Sequence, residues 1–221
     1  MIDGVRLKVC GIRTRAEAEA AASLGADFLG FILYPASPRY LPLESFATVS
    51  QGVSGPAKVA VCVTPTAAEL AAVQAAGFDR FQVHFRADTL LATVASWAET
   101  VGVDRLWLAP KLLPAADLPA GLLPLAETFL LDTFDPDKFG GTGRTGDWGK
   151  FARHQRAHPE KTWVLSGGLG PENIRDALQL SGARVVDVNS GVESAPGVKD
   201  LGKLQALVRA MAARGGTAGP G

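Results

Sequence analysis

Asp132 closes an apolar run, Phe129-Leu-Leu-Asp132, shortly before a stretch of glycine and threonine, Gly140-Gly-Thr-Gly143. A carboxylate at the end of a buried strand is costly to keep charged. Its pKa therefore tends to rise, and it can serve as an acid near neutral pH. Gly140, Gly141 and Gly143 let backbone amides approach an anion, or let a mobile loop cover it. Cys10 lies in Lys8-Val-Cys-Gly11. On a strand Lys8 and Cys10 share a face, and an ammonium beside a thiol favours the thiolate, the form that acts as base or nucleophile. Against this stands simple packing, the commoner role of an isolated cysteine in an apolar strand. Cys62 sits mid-strand without such a neighbour and reads as packing.

Arg39 is carried by a proline-stiffened loop, Tyr34-Pro-Ala-Ser-Pro-Arg39. A guanidinium held that way suits a planar bidentate partner such as a substrate carboxylate, although taken alone it reads equally well as a surface arginine. Two glycine turns, Ser166-Gly-Gly168 and Asp187-Val-Asn-Ser-Gly191, follow the last two apolar segments. Backbone amides at Gly167, Gly168, Ser190 and Gly191 suit a phosphate. Gln82 and His84 could line the same site, with a structural role the better reading for His84. His154 and His158 read as helix surface, and the four tryptophans as packing.

These residues need a frame to bring them together. Apolar strand-like segments at 6–10, 27–33, 58–63, 79–84, 105–109, 127–131, 162–166 and 184–188 alternate with helical ones. The helical segments fall at 14–24, 43–51, 66–76, within 88–100, and at 147–158, 171–180 and 198–213. Thr14 reads as an N-cap, and Pro171 as the first residue of its helix. Behind the fifth strand, Pro114, Pro119 and Pro124 leave the pattern poorly specified. Strand–helix alternation predicts a parallel sheet with helices outside. Eight such units favour an α/β single-domain (β/α)8 TIM barrel over residues 1–214, rather than an open sheet of about five to seven strands. Residues 215–221, mostly glycine, have nothing to pack and are expected to be disordered. Active sites of such barrels lie at the C-terminal strand ends, where Cys10, Asp132, Asp187 and the glycine turns fall.

Lys+Arg and Asp+Glu number 22 each, so no overall field argues for nucleic acid or an anionic membrane. Two cysteines offer neither a disulfide framework nor zinc spacing, and fit a reducing cytoplasm. No leader is expected, since no charged-then-apolar stretch opens the sequence, and no apolar run is long enough to span a membrane. A cytoplasmic protein with no nucleic-acid or membrane partner is expected.

Taken together, these stretches resemble phosphoribosylanthranilate isomerase, an enzyme family of tryptophan biosynthesis. The resemblance runs in order through Lys8-Val-Cys-Gly-Ile12, Leu29-Gly-Phe-Ile-Leu-Tyr-Pro-Ala-Ser-Pro-Arg-Tyr40, Val61-Cys-Val63, Phe81-Gln-Val-His84 and Leu130-Leu-Asp-Thr133. It continues through Gly140-Gly-Thr-Gly-Arg-Thr-Gly-Asp-Trp148, Leu165-Ser-Gly-Gly-Leu-Gly-Pro-Glu-Asn173, Asp187-Val-Asn-Ser-Gly-Val-Glu193, Pro196-Gly197 and Lys199-Asp200. It implies an Amadori rearrangement of a small-molecule phosphosugar substrate, with no cofactor and no metal, by a monomer or homodimer. It also implies Asp132 as general acid, Cys10 as general base, Arg39 on the anthranilate carboxylate and Asp187 on the anthranilate nitrogen. Phosphate would then sit at Gly167-Gly168 and Ser190-Gly191, under a mobile cover at Gly140, Gly141 and Gly143. The chain departs from the family at Phe85 (usually glycine), Gly170 (often asparagine) and Asn189 (usually serine). Two alternatives are a non-catalytic phosphosugar-binding barrel and the related histidine-pathway isomerase. The latter is expected to carry an aspartate where this chain has Cys10.

Overall fold

A computed structural model describes residues 1–113, 116–132 and 147–213. Eight parallel strands close into a barrel: β1 (Arg6–Cys10), β2 (Phe28–Ile32), β3 (Ala57–Val63), β4 (Arg80–Arg86), β5 (Leu106–Lys111), β6 (Thr128–Leu131), β7 (Thr162–Leu165) and β8 (Val185–Val188). Helices α1 (Arg15–Ser23), α2 (Phe46–Ser50), α3 (Ala67–Ala75), α4 (Leu91–Val101), α5 (Trp148–Ala157), α6 (Ile174–Ser181) and α7 (Leu201–Ala212) surround it. The predicted (β/α)8 barrel is the observed fold.

The period of two along each strand sorts the side chains. Leu7 and Val9 of β1 face the helices, within the layer that includes Leu29, Phe31, Phe81 and Leu106. Cys10 faces inward with Phe28, Val59, Val61, Trp107, Leu130 and Val164. Each Leu, Val or Phe so buried contributes roughly 1.5–3 kcal/mol relative to exposure. Phe28 and Trp107 meet edge to face, 5.0 Å between centroids, low inside the barrel, and the Arg6 guanidinium lies 5.5 Å from the Phe28 ring centroid. Apolar filling below and polar side chains above make the C-terminal end the chemical one.

Local signals account for the helix starts. Thr14 caps α1 and Thr66 caps α3, each with a glutamate three residues on, Glu17 and Glu69, that returns a bond to the cap backbone. Three expectations need correction. The helix placed at 171–180 starts at Ile174, because Gly170, Pro171, Glu172 and Asn173 form a turn in which Asn173 Oδ1 accepts from Gly170 N at 2.9 Å. The last helix starts at Leu201 under the Asp200 cap. Residues ahead of it fold back as a short antiparallel pair, β9 (Glu193–Ala195) with β10 (Val198–Lys199). Behind β5, where the prolines leave the pattern unspecified and no helix is expected, a 3₁₀ segment, Ala120–Leu125, contains Pro124. His154 is buried, 6% exposed, and stacks on Trp163 at 5.4 Å instead of facing solvent.

Phe85 finds its reason in this sorting. It points outward from β4 and packs on Trp97 of α4 at 5.5 Å, so this departure from the family pattern lies away from the barrel mouth. Among the described residues no helix is long and apolar enough to cross a membrane.

Candidate active site

A pocket of about 670 Å³, counting its open side, occupies the C-terminal mouth of the barrel. Its walls include Cys10 at the end of β1, Arg39 from the loop after β2, Gln82 and His84 of β4, and Asp132 just past β6. Gly167 and Gly168 after β7, with Asp187, Asn189 and Ser190 at β8, complete the wall between Asp132 and Cys10. Residues 122 positions apart in sequence, Cys10 and Asp132, thus share one cavity. The closed strand order puts them across the mouth from each other, with β7 and β8 between. Gly140, Gly141 and Gly143 lie outside the described residues.

Below Cys10 lies a buried ion pair that sequence reasoning missed. Lys8 and Asp187 are opposite each other in the β1–β8 register, and Lys8 Nζ donates to Asp187 Oδ2 at 2.7 Å. Burial alone would lower the Lys8 ammonium. The Asp187 carboxylate and the Cys10 thiol more than reverse that, and hold lysine above its usual range. Burial likewise pushes the Asp187 carboxyl up, with the lysine pulling it partly back. Among the described residues, Asp187 Oδ1 has no hydrogen-bond partner. A buried unpaired oxygen on a pocket wall is an acceptor awaiting a donor.

The expectation of a Lys8-stabilised thiolate needs correction in sign. Burial pushes the Cys10 thiol above its ordinary value, and the nearby Asp187 charge adds to that, so the Lys8 ammonium offsets the shift only in part. Lys8 does share a face with Cys10, as the strand period requires, but its charge is already matched by Asp187. Cys62, facing the helix layer, is pushed up to about 12 by burial, as suits packing. His84 is drawn down to about 4 by burial and by the Lys8 charge, and its Nε2 lies 2.7 Å from Gln82 Nε2. The imidazole is therefore neutral near pH 7.

Arg39 has its planar bidentate partner within the chain. Its Nε and Nη2 donate to the two carboxylate oxygens of Glu193 at 2.9 and 2.7 Å. Glu193 is 5% exposed and also accepts from Lys199 Nζ at 2.8 Å. Burial would raise its carboxyl, but the bonds from Arg39 and Lys199 outweigh burial and hold it below the usual carboxylate range. Neither Glu193 nor Lys199 stood out in the sequence as more than a motif position. The available signal was a carboxylate and a lysine flanking the turn at Gly197.

Both glycine turns have backbone reasons. Gly167 and Gly168 have φ of 97° and 60°, the left-handed region that glycine adopts without strain. Asn173 Nδ2 ties the turn down by donating to Gly168 O at 2.8 Å. A Cβ on Gly191 would overlap the Leu169 carbonyl oxygen and lie 3.0 Å from Gly170 Cα. The turns after β7 and β8 therefore touch, backbone against backbone. Gly191→Ala is expected to force them apart and destabilise the fold by about 1–3 kcal/mol or more, measured by urea unfolding. It is also expected to weaken binding of inorganic phosphate.

An eight-stranded parallel barrel whose C-terminal mouth gathers a carboxyl, a thiol and paired glycine turns has the architecture of the (β/α)8 enzyme class. The family described as N-(5'phosphoribosyl)anthranilate (PRA) isomerase matches residues 7–210. A relative from Synechococcus elongatus, N-(5'-phosphoribosyl)anthranilate isomerase, is 38% identical over 215 residues, 95% of this chain and 97% of its own. Phosphoribosyl anthranilate isomerase from Thermus thermophilus has the same fold with a TM-score of 0.79 and 29% identity, over 94% of this chain and 98% of that one. A phosphoribosyl anthranilate isomerase solved with reduced 1-(o-carboxyphenylamino)-1-deoxyribulose 5-phosphate gives a TM-score of 0.72 and 28% identity, over 94% of this chain and 98% of its own. The chain belongs to the phosphoribosylanthranilate isomerase family.

Proposed function

We propose that this protein converts N-(5-phosphoribosyl)anthranilate into 1-(2-carboxyphenylamino)-1-deoxyribulose 5-phosphate, a step of tryptophan biosynthesis. The observation that carries this reading is the pairing of Cys10 and Asp132 across one mouth, beside the glycine turns after β7 and β8. Asp132 protonates the furanose oxygen, and the ring opens to a Schiff base. Cys10 takes the proton from sugar C2, giving an enolamine. Loss of the enol proton and protonation at C1 then give the ketone. The product is an isomer of the substrate, so no oxidant or reductant enters.

The pocket offers a group for each part of the substrate. The turns at Gly167-Gly168 and Ser190-Gly191 hold the phosphate through backbone amides. Asp187 Oδ1, buried and without a partner among the described residues, accepts from the anthranilate nitrogen. Arg39 turns the edge not taken by Glu193 toward the anthranilate carboxylate. Cys10 at the β1 position, where an aspartate would be expected, disfavours the histidine-pathway isomerase.

The test is loss of anthranilate-type fluorescence from substrate generated in situ. Turnover by the wild-type protein is expected. A protein that binds the reduced product yet leaves the substrate unchanged would be a binding barrel instead.

A further inference from the structure

The Arg39–Glu193 pair raises a difficulty for any anionic ligand. A guanidinium matched by a carboxylate through two hydrogen bonds, both groups largely buried, is electrically close to neutral from outside. Lys199 changes that balance. Its Nζ lies 2.8 Å from Glu193 Oε1 and 2.8 Å from Asn189 Oδ1, and 3.4 Å from the Asn189 carbonyl oxygen. The Lys199 and Glu193 side chains are only 5% and 3% exposed. Two cations thus share one carboxylate, and the cluster keeps a surplus positive charge.

The backbone holds Lys199 in place. Lys199 N donates to Glu17 Oε1 at 3.1 Å, and the other oxygen of Glu17 receives Arg13 N and Thr14 N at the start of α1. Lys203 Nζ donates to Glu193 O at 2.6 Å, fixing the opposite side of the hairpin. A Cβ on Gly11 would meet Asn189 Oδ1 at 2.8 Å, Arg39 Cδ at 3.0 Å and Lys199 Nζ at 3.4 Å. The cluster therefore packs directly against the residue that follows Cys10.

We propose that Lys199 is a positioning residue for the substrate carboxylate, acting through Glu193 to keep Arg39 fixed in orientation and still attractive to an anion. The inference rests on the proposed function, since it takes Arg39 as the carboxylate contact. Lys199 itself does not touch the ligand: its ammonium is spent on Glu193 and Asn189. Removing it leaves Arg39 and Glu193 as a neutral pair, and removes one of the bonds that hold the Glu193 carboxylate in plane with the guanidinium.

Calorimetric titration tests this with two ligands, the reduced product and its anilino counterpart lacking the carboxylate. Lys199→Met is expected to weaken the carboxylated ligand about tenfold, as for a lost charged hydrogen-bond partner. The counterpart should weaken about threefold at most, since it lacks the group that Arg39 holds. In an Arg39→Met background, Lys199→Met should change the preference no further, because coupled residues are not additive. Equal weakening of both ligands by Lys199→Met would make the lysine a general brace and overturn the proposal, as would no weakening of either. A wild-type protein that neither isomerises the substrate nor prefers the carboxylated ligand overturns the functional reading itself. A wild type that does both leaves the variant result to judge Lys199 alone.

Discussion

Cys10→Ser is expected to lower kcat by about 10²–10⁴-fold, the range for removal of a general base, while the barrel remains folded. Serine keeps the size of the side chain and its place beside Lys8. What it loses is the more acidic proton of the two, since a hydroxyl ionises far less readily than a thiol even where burial raises the thiol. The surroundings sharpen this. Burial and Asp187 push the Cys10 thiol up, against Lys8 and Lys199, which pull it down. The base is the deprotonated form, so kcat/KM of the wild type should still be rising with pH on the alkaline side, past the ordinary thiol value. The Ser variant should lack that limb. His84 offers no ready substitute: with a pKa of about 4 it is unprotonated at pH 7 but weakly basic. Initial rates across the alkaline range decide the matter. A Cys10→Ser protein with wild-type rates and an unchanged pH profile would remove Cys10 from the mechanism.

Much of this site is legible in the sequence, because period-two alternation and barrel topology are local rules. Lys8 and Cys10 on one face, Asp132 at a strand end and glycine turns after the last two strands all follow from short windows. The missing parts depend on partners far along the chain. Lys8 meets Asp187 across 179 positions, and that pairing uses up the charge expected to lower the thiol. Arg39 meets Glu193 across 154 positions, which turns a free clamp into a held one. His154 was misplaced for a related reason. Its helix pattern looked exposed, yet Trp163 of β7 supplies a flat partner that buries it. The prolines behind β5 gave a correct warning: a 3₁₀ segment forms where proline and short spacing disfavour an α-helix.

Asp132→Asn is expected to fall as far as Cys10→Ser, and for a different reason. Asparagine matches the carboxylic acid in shape, but it has no proton to give the furanose oxygen. The ring then opens only as fast as solvent protonates it, and a drop of about 10²–10⁴-fold in kcat follows. Because the proton moves only in the transition state, kcat and kcat/KM should fall together, with KM little changed. Affinity for the reduced product should also hold within about threefold, since that ligand makes no demand on the acid. Measured side by side, those quantities separate an acid from a binding group. A raised KM with kcat intact would make Asp132 a substrate contact and leave the acid elsewhere. His84 is a poor replacement, being neutral at pH 7 and held at 2.7 Å by Gln82. With both variants combined, the loss should fall short of the product of the single losses, because proton removal at C2 needs the open-chain Schiff base that Asp132 provides.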